Sequence, residues 1–89
     1  MAQIDVASLG ERTFQVTVTE QWSTTTHEVT VKDEDLDRLA GDASESDFVA
    51  ASFRFLLDRE PKESIMTSFD LSVIGRYFPE FSERVGDYL

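Results

Sequence analysis

A run of acidic residues near the middle of this 89-residue chain is the first candidate for chemistry. Asp33, Asp35 and Asp37 have the spacing of the first ligands of a calcium-binding loop. Such a loop also needs glycine at its sixth position and glutamate at its twelfth, where this chain has Arg38 and Ser44. Acidic residues are favoured at helix starts by the helix dipole. The run therefore predicts helix starts, and we expect neither a metal site nor a cofactor.

Groups suited to catalysis are sparse. His27 is the only histidine, and the strand pattern predicts that it lies half-exposed at a strand end beside Val18. The chain has no cysteine and no G-x-S-x-G turn that would hold a nucleophilic serine. Its glycines are scattered and form no phosphate-binding loop. These observations predict a protein that is not an enzyme.

The segment 62–78 allows a second function class, because IMTSFDLSVIGRYF resembles a helix, a tight turn and a second helix. The second helix of a helix-turn-helix lies in the DNA major groove and is flanked by basic residues. The basic residues available in this segment and shortly after it are only Lys62, Arg76 and Arg84. The net charge of −10 repels phosphate backbones and anionic lipids. We expect helices that pack a core, with a nucleic-acid-associated regulator as the alternative.

The elements that must position any site divide the chain at residue 33. Residues 1–32 alternate apolar and polar side chains, which predicts a three-stranded antiparallel meander with one buried face. The first connection contains Gly10, which suits a tight hairpin. The second connection, around 21–24, lacks glycine and is predicted to be looser. The strand pairs that keep the apolar residues on one face are Val18 with His27, Val16 with Val29 and Phe14 with Val31.

Residues 33–89 have the period of amphipathic helices. Asp33 is expected to cap a short helix that stops at Gly41, and Ser44 to cap the longest one. Pro61 is expected to open a third helix, and Asp70 or Ser72 to cap a fourth. The predicted fold is therefore a single α+β domain spanning 1–89, with four short-to-medium helices packed on one sheet face. The predicted core comprises Ile4, Val6, Phe14, Val16, Val29, Val31, Leu36, Leu39, Phe53, Leu56, Leu57, Ile65, Phe69, Ile74, Phe78 and Phe81.

One aromatic residue falls near the tip of the second hairpin. Trp22 is exposed if the strands end near Glu20 and Thr25, and extends the core if they run longer, so both interpretations stay open. The polar sheet face carrying Thr17, Thr19 and Thr30 is the other candidate interaction surface. An acidic protein of this kind favours a basic protein partner and is expected to be a monomer or a weak homodimer.

The stretch from Phe53 to Phe81 contains F-L-L-x-R-E-x-K-E-S-I, then F-x-L-x-x-I, then R-Y-F-P-E. It resembles a family of small, uncharacterised prokaryotic proteins. The resemblance implies a shared fold but no activity, and it transfers no site residue. The absence of cysteine and of a secretory signal predicts a cytoplasmic protein, and no apolar run is long enough to span a membrane. Together, these patterns predict a small acidic interaction or regulatory module.

Overall fold

The computed structural model describes residues 2–89, and its first three strands form the expected antiparallel meander. Strand β1 spans Gln3–Gly10, β2 spans Thr13–Glu20 and β3 spans Ser23–Thr30. The inward-facing apolar residues of β2, Phe14, Val16 and Val18, are buried and the residues between them are not, as a strand with one face on a core requires. The α+β class and the meander predicted from the alternating pattern are thus confirmed.

The register between β2 and β3 differs from the predicted one by two residues. Val18 lies opposite Thr25, Val16 opposite His27, and Phe14 opposite Val29. The cause is the second connection, which is a tight two-residue turn and not the looser loop that we expected. Because a shift of two residues preserves the face of every side chain, the buried face is still the predicted one.

A fourth strand was not predicted. Strand β4 spans Ser68–Asp70 and pairs in parallel with β3, which makes the sheet mixed, with the order β1-β2-β3-β4. The amide of Glu28 donates to the Thr67 carbonyl, and the amide of Leu71 donates to the Thr30 carbonyl, both at 2.8 Å. The prediction of a helix here was wrong. The segment is extended because its backbone groups pair with the free edge of β3, and a helix would leave that edge unpaired.

The helical part is more broken than predicted. Its elements are α1 (Asp33–Asp35) continuing into a π-helical turn (Leu36–Ala40), α2 (Glu45–Leu57), a 3₁₀ turn (Lys62–Ser64), α3 (Val73–Tyr77), α4 (Phe81–Arg84) and a final 3₁₀ turn (Val85–Tyr88).

Helix starts and stops test the predicted caps. Ser44 does cap α2, since its hydroxyl accepts from the Asp47 amide at 3.1 Å. Asp33 makes no capping bond and pairs instead with Arg12 at 2.6 Å. Gly41, with φ 60°, ends the π-helical turn as predicted. Pro61 precedes only a 3₁₀ turn, so the predicted third helix was wrong.

Helix α2 lies at the centre of the molecule, between the sheet and the C-terminal segments. Phe53 contacts the sheet side, with ring centroids 5.4 Å from His27 and 6.1 Å from Phe69. Phe55 contacts the C-terminal side, where Phe81 lies 5.1 Å away. Burial on both sides explains why Phe55, which we did not place in the core, is fully buried.

Most of the predicted core is buried, and the rest packs against it. The partly buried members are Ile4, Val6, Leu36, Leu39, Leu57, Phe69 and Phe78. The buried residues missing from the prediction are Val18, Ala40, Phe48, Val49, Ala51, Phe55, Leu71 and Val85.

Candidate functional site

The turn between β2 and β3 presents Trp22 to solvent. Gln21 and Trp22 form the two-residue connection, and Glu20 and Ser23 are the last paired residues below it. Gln21 takes a left-handed backbone conformation, with φ 44°, which lets the chain reverse without glycine. Trp22 is 96% exposed, the highest value among the large apolar side chains of residues 2–89. Of the two interpretations left open by the sequence, the exposed one is correct.

A buried lysine anchors the base of this turn. The Lys62 side chain is 5% exposed, and its ammonium lies 2.7 Å from Glu63 Oε2 and 3.2 Å from Glu20 Oε1. The bond to Glu63 and the weaker one to Glu20 raise the pKa of Lys62 despite its burial. Lys62 in turn lowers the pKa of Glu63. The turn is therefore tied by an ion pair to the segment that follows Pro61.

We name this surface the hairpin tip; its residues are Glu20, Gln21, Trp22, Ser23 and Lys62, which line an open recess of about 310 Å³. The carboxylates of Glu20 and of the adjacent Glu63 keep part of their surface in water. An indole face beside carboxylates suits a cation, since tryptophan gives the best cation–π contacts and carboxylates accept charged hydrogen bonds. The tip can thus receive a cationic side chain.

The sequence pointed to Trp22 but not to Glu20, Lys62 or Glu63. Glu20 shares the inward phase of Val16 and Val18, which is an unusual place for a carboxylate at a strand end. This inward position of Glu20 was the one feature of the sequence that could have pointed to the site. Lys62 is separated from the turn by 40 residues of chain, and its pairing with Glu20 depends on where β4 docks.

The predicted threonines lie on the sheet face away from the helices. Thr17 and Thr19 are half-buried, and Thr30 is exposed. Thr19 is near the hairpin tip, and its hydroxyl lies 3.5 Å from that of Thr24. Thr30 is at the opposite end of the strand, opposite Thr13, where it donates to Asp70 at 3.2 Å. The structure therefore does not gather the three threonines and Trp22 into one site.

His27 is buried and not half-exposed as predicted. It is 2% exposed, because the true register places it in the middle of β3 opposite Val16. Its Nδ1 lies 2.8 Å from the Met66 carbonyl, which can only accept, so Nδ1 carries a proton. Its Nε2 lies 2.8 Å from the Thr25 hydroxyl. Both ring nitrogens are engaged, and the ring connects β3 to the segment before β4.

The segment predicted to resemble a helix-turn-helix has a different structure. Residues 62–70 form a 3₁₀ turn, an extended stretch and β4, and only Val73–Tyr77 is helical. The first helix of the motif is therefore missing. Five residues make less than two turns of helix, too short for the long recognition helix that such motifs place in a groove.

An apolar recess lies on the other side of the same segment. It has a volume of about 220 Å³, and its lining includes Leu56, Phe69, Met66 and Tyr77. Met66 and Tyr77 are 42% and 69% exposed. Glu60 is also in the lining, and burial raises the pKa of its carboxyl. The recess has few groups that could orient a polar ligand.

Within residues 2–89, no group of three or more histidine, cysteine or acidic side chains is arranged to hold a metal ion. In the same part of the chain, no helix is both long and apolar enough to cross a bilayer. Comparisons with protein-family models, with curated proteins and with solved structures found nothing that matches this chain.

Proposed function

We propose that this protein is a non-catalytic interaction module that binds a basic protein partner through the hairpin tip. The observation that carries the proposal is the 96% exposure of Trp22 on an anchored two-residue turn. An indole left in water contributes little to folding, whereas tryptophan is enriched where interfaces concentrate their binding energy. The anchored turn lowers the entropy that would be lost on binding.

The chemistry of the tip favours an arginine side chain of the partner. A guanidinium can stack on the Trp22 indole while its N–H groups reach a carboxylate oxygen of Glu20 or Glu63. Both carboxylates stay at least 40% exposed while they pair with Lys62. The net charge of −10 attracts a basic partner over a longer range.

A peptide titration tests this proposal directly. The probe is acetyl-Arg-Gly-Arg-amide, compared with acetyl-Glu-Gly-Glu-amide, and the signal is the fluorescence of Trp22, the single tryptophan of the chain. We expect a saturable change with the arginine peptide and none with the glutamate peptide. Calorimetry of Trp22→Ala should show no binding, while its unfolding free energy should stay within about 0.5 kcal/mol of the parent.

Two further variants separate the tip from general charge attraction. Glu20→Gln removes a carboxylate of the tip, and Glu28→Gln removes one from the outer sheet face with the same change in net charge. We expect Glu20→Gln to weaken arginine-peptide binding several-fold and Glu28→Gln to leave it nearly unchanged. Equal losses in the two variants, or equal responses to the two peptides, would contradict the proposal.

Nucleic-acid binding has no observation in its favour. The segment that suggested it lacks the required first helix, and Lys62, its first basic residue, is buried in an ion pair. Retention on heparin at low salt that falls steeply as salt is raised would restore that alternative.

A further inference from the structure

Among residues 2–89, no strand pairs with the outer edge of β1. β1 ends one side of the sheet, and helix α2 packs beneath it without covering its edge by backbone bonds. Within the described residues, the backbone groups of 3–10 bond to no segment other than the neighbouring strand. Natural edge strands are commonly protected by lysine, proline or short length. β1 has eight residues, no lysine or proline, and one charge, Asp5.

The hairpin geometry shows which groups of β1 face outward. Glu20 and Ser23 flank a two-residue turn and so form a hydrogen-bonded pair. Bonded and non-bonded pairs alternate along an antiparallel ladder, so the odd-numbered residues of β2 bond to β1. Before the irregularity that follows Ser8, their partners on β1 are also odd-numbered: Gln3, Asp5 and Ala7. The N–H and C=O groups of Ile4, Val6 and Ser8 therefore point away from the sheet, and no other group of residues 2–89 pairs with them.

We propose that this edge pairs with the same edge of a second copy, making a two-fold symmetric dimer with a continuous eight-stranded sheet. With Val6 on the two-fold axis, the outward groups of the two strands meet as about six hydrogen bonds, two for each paired position. In this register Asp5 lies opposite Ala7 of the second copy, and Gln3 lies opposite Leu9. No like charges face each other across the interface.

The two neighbouring registers fit less well. Shifting the pairing by two residues one way places Asp5 opposite Asp5, and like charges directly opposite are destabilising. Shifting it the other way runs the overlap into Gly10, where the ladder is irregular between Ser8 and Gly10. The register centred on Val6 keeps all three bonded positions, Ile4, Val6 and Ser8, within the regular part of β1 and avoids the contact between the two Asp5 side chains.

A second copy fits this edge for reasons of side-chain pattern and charge. Ile4 and Val6 are only half-buried at the margin of the core. In the dimer Val6 would lie opposite Val6 of the second copy, and Ile4 would lie opposite Ser8 and diagonal to Val6. The single charge on β1 leaves the edge nearly neutral in a protein of net charge −10. Each copy carries a net charge of −10, so the two copies repel, and pairing should be weak at low salt and stronger when salt screens the charges. The dimer uses none of the residues of the hairpin tip.

Sedimentation equilibrium of the full chain, from 10 µM to 1 mM and at low and high sodium chloride, tests the dimer. We expect a monomer–dimer equilibrium whose dissociation constant falls as salt rises. Ala7→Lys places an ammonium opposite Asp5 of the second copy at two symmetric positions, and Ala7→Asp places a carboxylate there. From cross-strand pair energies, we expect about two- to thirty-fold tighter dimerisation for the first variant and a comparable weakening for the second.

Two controls make the result specific. Glu83→Gln changes the net charge by the same single unit as Ala7→Lys at an exposed position on α4, and should have a smaller effect. Ser8→Pro removes an outward N–H while sparing the bonds to β2, and should abolish dimerisation with the circular dichroism spectrum retained. If Ser8→Pro does not fold, the two Ala7 variants decide the matter alone. Any of three results would overturn the proposal. The protein could be a monomer at 1 mM in high salt, its dimerisation could be the same for Ala7→Lys and Ala7→Asp, or a folded Ser8→Pro variant could still dimerise.

Discussion

Replacing Phe55 by alanine should test the central position of helix α2 most severely. The Phe55 ring lies within 5.1–6.0 Å, centroid to centroid, of the rings of Phe81, Phe78 and Tyr88. The guanidinium carbon of Arg59 lies over the same ring, 3.7 Å from its centroid. Phe55 is therefore a central contact between α2 and the C-terminal segments, beside Phe48, whose ring lies 6.5 Å from that of Phe81.

The expected loss follows from this packing. Truncating a fully buried phenylalanine to alanine costs about 3–5 kcal/mol in transfer and cavity terms. A domain of this length has a total stability of about 4–13 kcal/mol at the usual value per residue. Phe55→Leu keeps most of the apolar volume but loses the edge-to-face contacts and the contact with Arg59. We expect it to cost about 1–2 kcal/mol.

Urea unfolding followed by far-UV circular dichroism measures both losses. Arg54→Ala, at an exposed position on the same helix, is the matched control and should stay within about 0.5 kcal/mol of the parent. If Phe55→Ala does not fold at all, Phe55→Leu still provides a measurable value. A loss below about 1 kcal/mol for Phe55→Ala would show that the C-terminal segments do not pack on α2 as described.

Three other predictions concern caps and carboxylates. Ser44→Ala removes the cap of the Asp47 amide and should cost about 1 kcal/mol in urea unfolding. Burial raises the pKa of Glu60 above its ordinary value of 4.5, so Glu60→Gln should stabilise the fold at neutral pH, where the carboxylate is charged. This gain should vanish as pH falls below about 4.5, where Glu60 is protonated in both the folded and the unfolded protein. Replacing Glu80 should have the opposite effect on stability. A backbone amide and Arg59 lower its pKa, so Glu80→Gln should destabilise at neutral pH, and that difference should fade as pH falls below 4.5.

The meander could be predicted because its signal is local. Each strand carries its own alternation, and that alternation determines the buried face without knowledge of the rest of the chain. The register needed more, since it depends on the turn at Gln21, where a non-glycine residue takes φ 44°. Sequence patterns expect glycine or asparagine in such turns, so the loop was predicted to be longer than it is. Trp22 was left ambiguous for the same reason.

Strand β4 and the environment of Phe55 could not be predicted from local patterns. Three residues are too few to show a period of two, and β4 exists because β3 offers it an unpaired edge far away in sequence. Phe55 lies on a different side of α2 from Phe53, whereas the helical pattern of the sequence predicts a single buried stripe that contains Phe53. A helix that is covered on two sides carries apolar residues on two faces, and a single hydrophobic period does not reveal the second face. The anchoring of the hairpin tip by Lys62 was missed because it depends on β4.

The two proposed surfaces have a geometric consequence when they are considered together. A two-fold axis through Val6, perpendicular to the sheet, reverses the strand direction of the second copy. The two hairpin tips, which lie at the turns between β2 and β3, would therefore point in opposite directions along the strands of the eight-stranded sheet. Two such tips cannot bind the same flat patch of one partner, so avidity on a single compact target is not expected. The dimer would instead bridge two basic partners, or two separated sites on one extended partner. Salt would affect the two contacts in opposite directions, because screening strengthens the edge pairing and weakens the arginine contact at Trp22.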